Sequence, residues 1–255
     1  MIRVVVSPAK SIDTVKPVLV SEFSIPRFID RAERLVQHLR LLHPADIEQL
    51  MGVSTKLAEL NFQRFQSWHL PFTTSNARQA VYAFDGDVYD GLGIRTLDAA
   101  QVAYVGRHLR ILSGLYGVLH PFDLIQPYRL EMGRKFGVDG ARSLYDFWGS
   151  SITQALNDDF SAGQNPILVN LASEEYFKAI KVGELKARVV TPSFMEYKGD
   201  KPRIVALMAK RARGMMVRFM AEQQVDSVDD LKTFDYGGYS YSHEYSTPDK
   251  WVFVR

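Results

Sequence analysis

Short apolar runs scattered among longer amphipathic stretches constrain the fold of this chain more than any other feature. Ile2–Val6 (IRVVV) and Pro166–Leu171 (PILVNL) are apolar almost without a break and read as buried strands. Arg188–Tyr197 and Arg203–Leu207, separated by a polar turn at Lys198–Lys201, read as two more strands, and Trp251–Val254 as the last. Between them the periodicity is helical. Pro26–Leu42 places Phe28, Ile29, Ala32, Leu35, Val36 and Leu39 on one face. Pro44 opens a helix that ends near Gly52, and Ser54 is read as capping another through Leu57, Leu60, Phe62 and Phe65. Asn76 is read as capping a further one with Ala77, Ala80, Val81 and Phe84 on its apolar side. Ala141–Leu156, Glu174–Ile180 and Lys210–Glu222 complete the helical set. Strands so few and so dispersed predict an α/β (mixed α+β) single domain over residues 1–255, a mixed sheet wrapped by helices rather than a strict βαβ array.

Bulk properties remove several classes of function. At 255 residues and 46% hydrophobic the chain can bury a sizeable core. It has no cysteine, which excludes thiol peroxidase and cysteine redox-sensor chemistry. The first residues suit a strand better than a cleavable leader, and no stretch approaches the length of a membrane span. A cytoplasmic protein without a membrane partner is expected. The net charge is only +2, so a polyanion partner requires uneven charge. Charge is uneven. From Lys198 to Arg218 the basic residues are Lys198, Lys201, Arg203, Lys210, Arg211, Arg213 and Arg218, against Asp200 alone. From Glu222 to Asp249 acids dominate, against Lys232 alone. The block is either a polyanion surface or a solvated helix face paired with the acidic tail.

The stretch RHLRILSGLYGVLHPFDLIQPYRLEMG, Arg107–Gly133, suggests how a backbone phosphate could be held. An amphipathic segment ends at Leu112, Gly114 and Gly117 permit a tight reversal, and a second apolar segment starts at Val118. A helix beginning there would present unpaired N–H groups to an anion, with Tyr116 in the turn and Arg107, Arg110, Arg129, Arg134 and Lys135 nearby. The expected element is therefore helix–hairpin–helix-like. The spacing alone also fits a Gly-rich turn between two buried helices.

The wording of the segment resembles the YaaA family, named from the bacterial peroxide stress response. LSGLYGVL is followed by P-x-D-L-x-x-P-Y-R-L-E-M-G. The other blocks are SPAK at Ser7–Lys10, S-x-K-L-A at Ser54–Ala58, N-A-R-Q-A at Asn76–Ala80 and G-D-V-Y-x-G-L at Gly86–Leu92. Y-x-F-W-G at Tyr145–Gly149, N-L-A-S-x-E-Y-F-K at Asn170–Lys178 and K-x-A-R-G-M at Lys210–Met215 follow in order. The resemblance implies a cytoplasmic DNA-binding protein that limits oxidative damage, with iron control an association of the family.

On that reading Lys10, Lys56, Arg64, Arg110, Arg129, Lys178, Lys210, Arg213 and Arg218 line a positive groove, with Gly114, Tyr116 and Gly117 at the phosphate turn. The partner is DNA, duplex and not read by sequence, because phosphate contacts carry no base information. No cofactor and no metal is expected. The six histidines lack metal-site spacing, and Asp85, Asp87 and Asp90 suit a turn as well as a hard cation. Ser7 and Lys10 carry Ser–Lys spacing, but Pro8 follows the serine and no helix brings the pair together, so Lys10 is better placed to hold an anion. Tyr145, Phe147 and Trp148 suit the core. An enzyme is the alternative: Gln126, Tyr128, Arg129 and Glu131 crowd one block, with Glu131 as acid or base, Arg129 as anion clamp and Asp87 beside them, acting on a phosphorylated or nucleotide-like substrate. A closed pocket around Arg129 and Glu131 favours the enzyme, an open groove with an exposed hairpin the binding protein. A purely structural or interaction role is the third possibility.

Overall fold

A computed structural model describes residues 1–160 and 165–255. Its centre is a sheet of eight strands among the described residues: β1 (Ile2–Val6), β2 (Leu109–Ser113), β3 (Gly117–Leu119), β4 (Ile167–Leu171), β5 (Arg188–Lys198), β6 (Lys201–Arg203), β7 (Ser240–Ser242) and β8 (Lys250–Val254). The order is β7-β8-β5-β4-β1-β2-β3, with β6 paired to β5. The strands β2, β1, β4, β5 and β8 run parallel, and β3, β6 and β7 pair antiparallel with their neighbours. Every residue of β1 is buried, Arg3 included, as a mostly apolar run in a parallel strand covered on both faces requires. Numbered along the chain, the five parallel strands lie in the order 2-1-3-4-5. The progression reverses between β1 and β4, where crossovers leave from opposite sides and a crevice opens beyond the strand ends.

The mixed sheet expected from the sequence is present, and most helices lie where the periodicity put them. Ile29–Leu39, Pro44–Met51 and Thr55–Ser67 are helical, with Ser54 at the N-cap position of the last. The Ala141–Leu156 stretch breaks at Gly149 into two helices, Leu144–Trp148 and Ser151–Asp159. Asn76 caps no helix. Its side chain accepts the Thr73 N–H and donates to the Pro71 carbonyl, and a strand pair and a single helical turn follow. Arg203 ends β6, and from Ala206 the chain is already helical, through to Glu222.

The helix–hairpin–helix reading of residues 107–133 is corrected. The helix Ala99–His108 stops at His108, and Leu109–Ser113 and Gly117–Leu119 pair as an antiparallel β-hairpin on the sheet edge. A run such as LRILS packs equally well on either element, and here its in-register neighbour is β1. Gly114, Leu115, Tyr116 and Gly117 are all buried. Gly117 has φ +71°, and a Cβ there would lie 2.9 Å from the Trp148 ring. A Cβ on Gly114 would lie 2.2 Å from the Leu130 carbonyl. The glycines serve packing against Leu130 and Trp148, and the turn they belong to is buried.

A helical hairpin does exist, at another place. Pro44–Met51 and Thr55–Ser67 pack against each other across the link Gly52–Ser54. Ile47, Met51, Ala58 and Phe65 face the core, while Thr55, Lys56 and Leu57 are exposed.

One further contact positions the site. The helix Ala206–Glu222 lies on the short helix Asp87–Leu92 at backbone distance: a Cβ on Gly214 would come 1.7 Å from the Val88 carbonyl oxygen, and one on Gly91 2.1 Å from the Arg211 carbonyl oxygen. Gly214→Ala is therefore expected to force the two helices apart. Overpacking of rigid backbone costs roughly 1–3 kcal/mol or more. Urea unfolding that shows parental stability would contradict so close an approach.

Candidate functional site

Beyond the carboxyl ends of β1 and β4, at the reversal of strand order, lies a cleft of about 420 Å³. Two loops form its floor. Ser7 leaves β1 and Ser173 follows β4, and the Ser173 N–H donates to Ser7 Oγ at 2.9 Å. The Ser7 hydroxyl also donates to Ser173 Oγ at 3.3 Å. Tyr89, buried on Asp87–Leu92, donates its hydroxyl to the Ser7 carbonyl at 3.1 Å. Ser7 thus fastens one strand end to the other and is not paired with Lys10. Tyr89, Tyr128 and Tyr176 supply buried phenols around the cleft, and burial raises each pKa above its ordinary value.

Glu131 is the electrostatic centre of one wall. Its side chain is 8% exposed and bound by arginines on both oxygens. Arg129 Nη2 lies 3.0 Å and Nε 3.2 Å from Oε1, and Arg134 Nε 3.3 Å from Oε2. Lys10 Nζ stands 3.9 Å from Oε1. Burial alone would raise the Glu131 pKa, but the Arg134 hydrogen bond and the charges of Arg129 and Arg134 outweigh it and hold the carboxylate below its ordinary value. An ionised carboxylate with both oxygens engaged anchors cations; it is not a proton donor at neutral pH.

The opposite wall is basic and unpaired. Lys210 and Arg213, three residues apart on one helix face, both line the cleft. Neither makes a hydrogen bond or ion pair among the described residues. Burial lowers the Arg213 pKa, and the Glu174 charge offsets this in part. Asp87 also lines the cleft; Asp85 is taken by Lys16 at 3.0 Å, and Glu175 accepts the Gly133 N–H at 2.8 Å.

The cleft therefore gathers Lys10, Arg129, Lys210 and Arg213 of the expected cations, with Asp87 and Glu131. The others lie elsewhere. Lys56 is exposed early in Thr55–Ser67. Arg64, later on that helix, is half-buried, and desolvation and the nearby Arg129 charge lower its pKa. A Cβ at Gly52 would lie 3.4 Å from Arg134 Nη1, so the helical hairpin's turn abuts the Glu131 cluster. Lys178 sits over the Tyr145 ring, 5.1 Å from its centroid, outside the cleft. Arg110 is turned into a separate recess and bonds Asp159 at 2.5 Å. Tyr116 is buried, its hydroxyl accepting from Trp68 at 3.1 Å. Arg218 bonds Glu222 at 2.7 Å and Thr96 Oγ1 at 2.7 Å. That is the one ion pair, among the described residues, between the basic block 198–218 and the acidic tail; Lys198, Lys201, Arg203, Lys210, Arg211 and Arg213 make none. Ser173, Glu175 and Tyr176 escaped the sequence reading as site residues, although a serine directly after an apolar run marked both strand ends.

No group of three or more His, Asp or Glu among the described residues could hold a metal ion, and no described helix is long and apolar enough to cross a membrane. A family model described as peroxide stress protein YaaA matches residues 2–245. The chain is similar to a UPF0246 protein of Neisseria meningitidis serogroup B, 48% identical over 98% of this chain and 97% of that one. It is 49% identical to UPF0246 proteins of an Azoarcus species, over 98% of both chains, and of Ralstonia nicotianae, over 99% of this chain and 98% of the relative.

The Glu131 cluster sets an expected outcome. Glu131→Gln leaves Arg129 and Arg134 without their counter-charge. A fully buried pair broken on one side costs about 3–5 kcal/mol, and Arg134 at 31% exposure recovers some solvation, so roughly 2–3 kcal/mol is expected at pH 7. A depressed carboxylate pKa contributes stability that is complete above the unfolded value, about 4.3, and is lost as pH falls through the folded value. The gap between parent and variant should therefore close in acid. Urea titrations at pH 7 and pH 3 that show the same gap would contradict the assignment.

Proposed function

This chain belongs to the YaaA family of peroxide stress proteins, and from that membership we propose that it binds the DNA backbone, acts in the cytoplasm and limits iron-dependent oxidative damage to the DNA it covers. One observation carries the reading: the cations of the basic block, Lys198, Lys201, Arg203, Lys210, Arg211 and Arg213, make no ion pair among the described residues, although an acidic tail follows them in sequence, and only the nearby Glu174 charge acts on Arg213. Unpaired surface cations gather counterions, and a polyanion releases them. The helical hairpin adds a second element. The Thr55–Ser67 helix begins with no side-chain cap, so its first-turn N–H groups face solvent beside Lys56. A helix start of that kind receives a phosphate oxygen. The bound face runs from that turn past the Arg134 and Arg129 edge to Lys10, Lys210 and Arg213. Binding is independent of sequence, because these groups meet phosphates and not base edges.

An enzyme acting on a phosphorylated or nucleotide-like substrate is the second reading, and the cleft at the reversal of strand order favours it. The geometry narrows the roles within it. Glu131 and Arg129 neutralise one another and form a scaffold, which leaves Asp87 as the carboxylate free to act on a substrate.

Duplex DNA should bind with a steep salt dependence. About four to six phosphate contacts give a log–log slope of roughly −4 to −5. Lys56→Glu combined with Lys210→Glu should weaken binding to unrelated sequences alike, by about tenfold or more, without changing Tm, since both side chains are exposed and unbonded. Fluorescence anisotropy across a salt series checks both. A flat salt response, or parental affinity in the double variant, contradicts the reading.

A further inference from the structure

We propose that the cleft between β1 and β4 seats one nucleoside monophosphate unit, with its phosphate against Lys210 and Arg213 and its sugar and base along the wall formed by Ala9, Val88 and Tyr128. The unit comes either from a free mononucleotide or from the phosphorylated end of a DNA strand; only the second source rests on the DNA reading above.

Size is the first argument. A cleft of about 420 Å³ falls within the ~300–1,000 Å³ of small-molecule pockets and is far too small for a duplex. Whatever enters it from DNA enters as a single unit.

Charge fixes the phosphate class. Of the lining cations, Arg129 is spent on Glu131; of the lining carboxylates, Asp85 is spent on Lys16 and Glu131 on its arginines. Lys10 is shared with Glu131 at 3.9 Å, so Lys210 and Arg213 remain, opposed by Asp87, by the Glu174 charge that acts on Arg213, and by Glu175, which already accepts the Gly133 N–H. The residual positive charge is small and sits on the Lys210–Arg213 side. It matches a monoester phosphate of charge near −2 and not a triphosphate. Arg213 is the informative member. Its guanidinium is half-buried with no hydrogen-bond partner among the described residues, and its planar fork suits a phosphate held by two parallel hydrogen bonds.

The rest of the cleft suits a nucleoside. Its walls carry apolar and phenolic surface, and Asp87 offers a carboxylate to sugar hydroxyls or base N–H groups. The helical hairpin's turn abuts Arg134, which bonds Glu131 at the cleft wall, so a strand gripped at that turn ends close to the opening.

Isothermal titration of the full chain with 5′-deoxyadenosine monophosphate and with deoxyadenosine tests the inference. The phosphate should tighten binding by about tenfold or more, as expected for charge-assisted contacts. Arg213→Gln should abolish that difference. Lys210→Gln, an exposed change that leaves folding untouched, should reduce it, so the result stands even if the Arg213 variant fails to fold. Nucleotide and nucleoside binding equally, or neither binding, overturns the inference, whatever happens with DNA. Two blunt duplexes, 5′-phosphorylated and 5′-hydroxyl, identify the source: tighter binding of the phosphorylated duplex assigns the unit to DNA ends, and equal binding assigns it to the free nucleotide. A protein that binds the mononucleotide but no duplex refutes the DNA reading and leaves this one standing.

Discussion

The buried Glu131 carboxylate is the interaction on which the site depends. Without it Arg129 and Arg134 would repel one another, and Lys10 would have no anchor at the end of the first strand. With it, three cations from two separate stretches of chain are held on one wall. The cost of burying the carboxylate is offset because both oxygens are engaged by guanidinium groups and the charges are shared across a cluster. The same arrangement makes Glu131 unfit as a general acid. A residue that looks catalytic in the sequence, an acid beside an arginine in a dense polar block, is the framework of one wall of the cleft.

The opposite wall depends on backbone packing. Gly214 and Gly91 let the Ala206–Glu222 helix settle directly on Asp87–Leu92, and this brings Lys210, Arg213 and Asp87 into the same cleft as the Glu131 cluster. The sheet supplies the third constraint. Because β1 lies between β2 and β4, the loops leaving β1 and β4 diverge, and the Ser7–Ser173 hydrogen bonds close the floor of the gap they leave. Fold and site share one origin, the reversal of strand order.

Much of this was legible in the sequence, for identifiable reasons. IRVVV and PILVNL are strands because mostly β-branched and apolar runs of that length need cover on both faces. Ser54 marked a helix start, and the SPAK block and the basic run Lys198–Arg218 supply Lys10, Lys210 and Arg213 to the cleft lining. The hairpin at 109–119 was not legible as β. A five-residue apolar run followed by a Gly-containing turn suits helix and strand alike, and its choice is made by pairing with β1, a contact more than a hundred residues away in sequence. The helical break at Gly149 and the strand Arg203–Leu207 failed for the same reason: tertiary neighbours decided between elements of similar local preference. Arg110 and Arg218 counted as groove residues by charge alone, and charge does not reveal that Asp159 and Glu222 already neutralise them.

Hydrogen–deuterium exchange with and without duplex DNA tests the central claim most directly. The account predicts slowed exchange in three segments, 7–11, 52–57 and 206–213, which form the cleft floor, the helical-hairpin turn and the basic helix. It also predicts unchanged exchange in the buried β-hairpin 109–119. Protection centred on 109–119, or protection that leaves all three segments untouched, would contradict it.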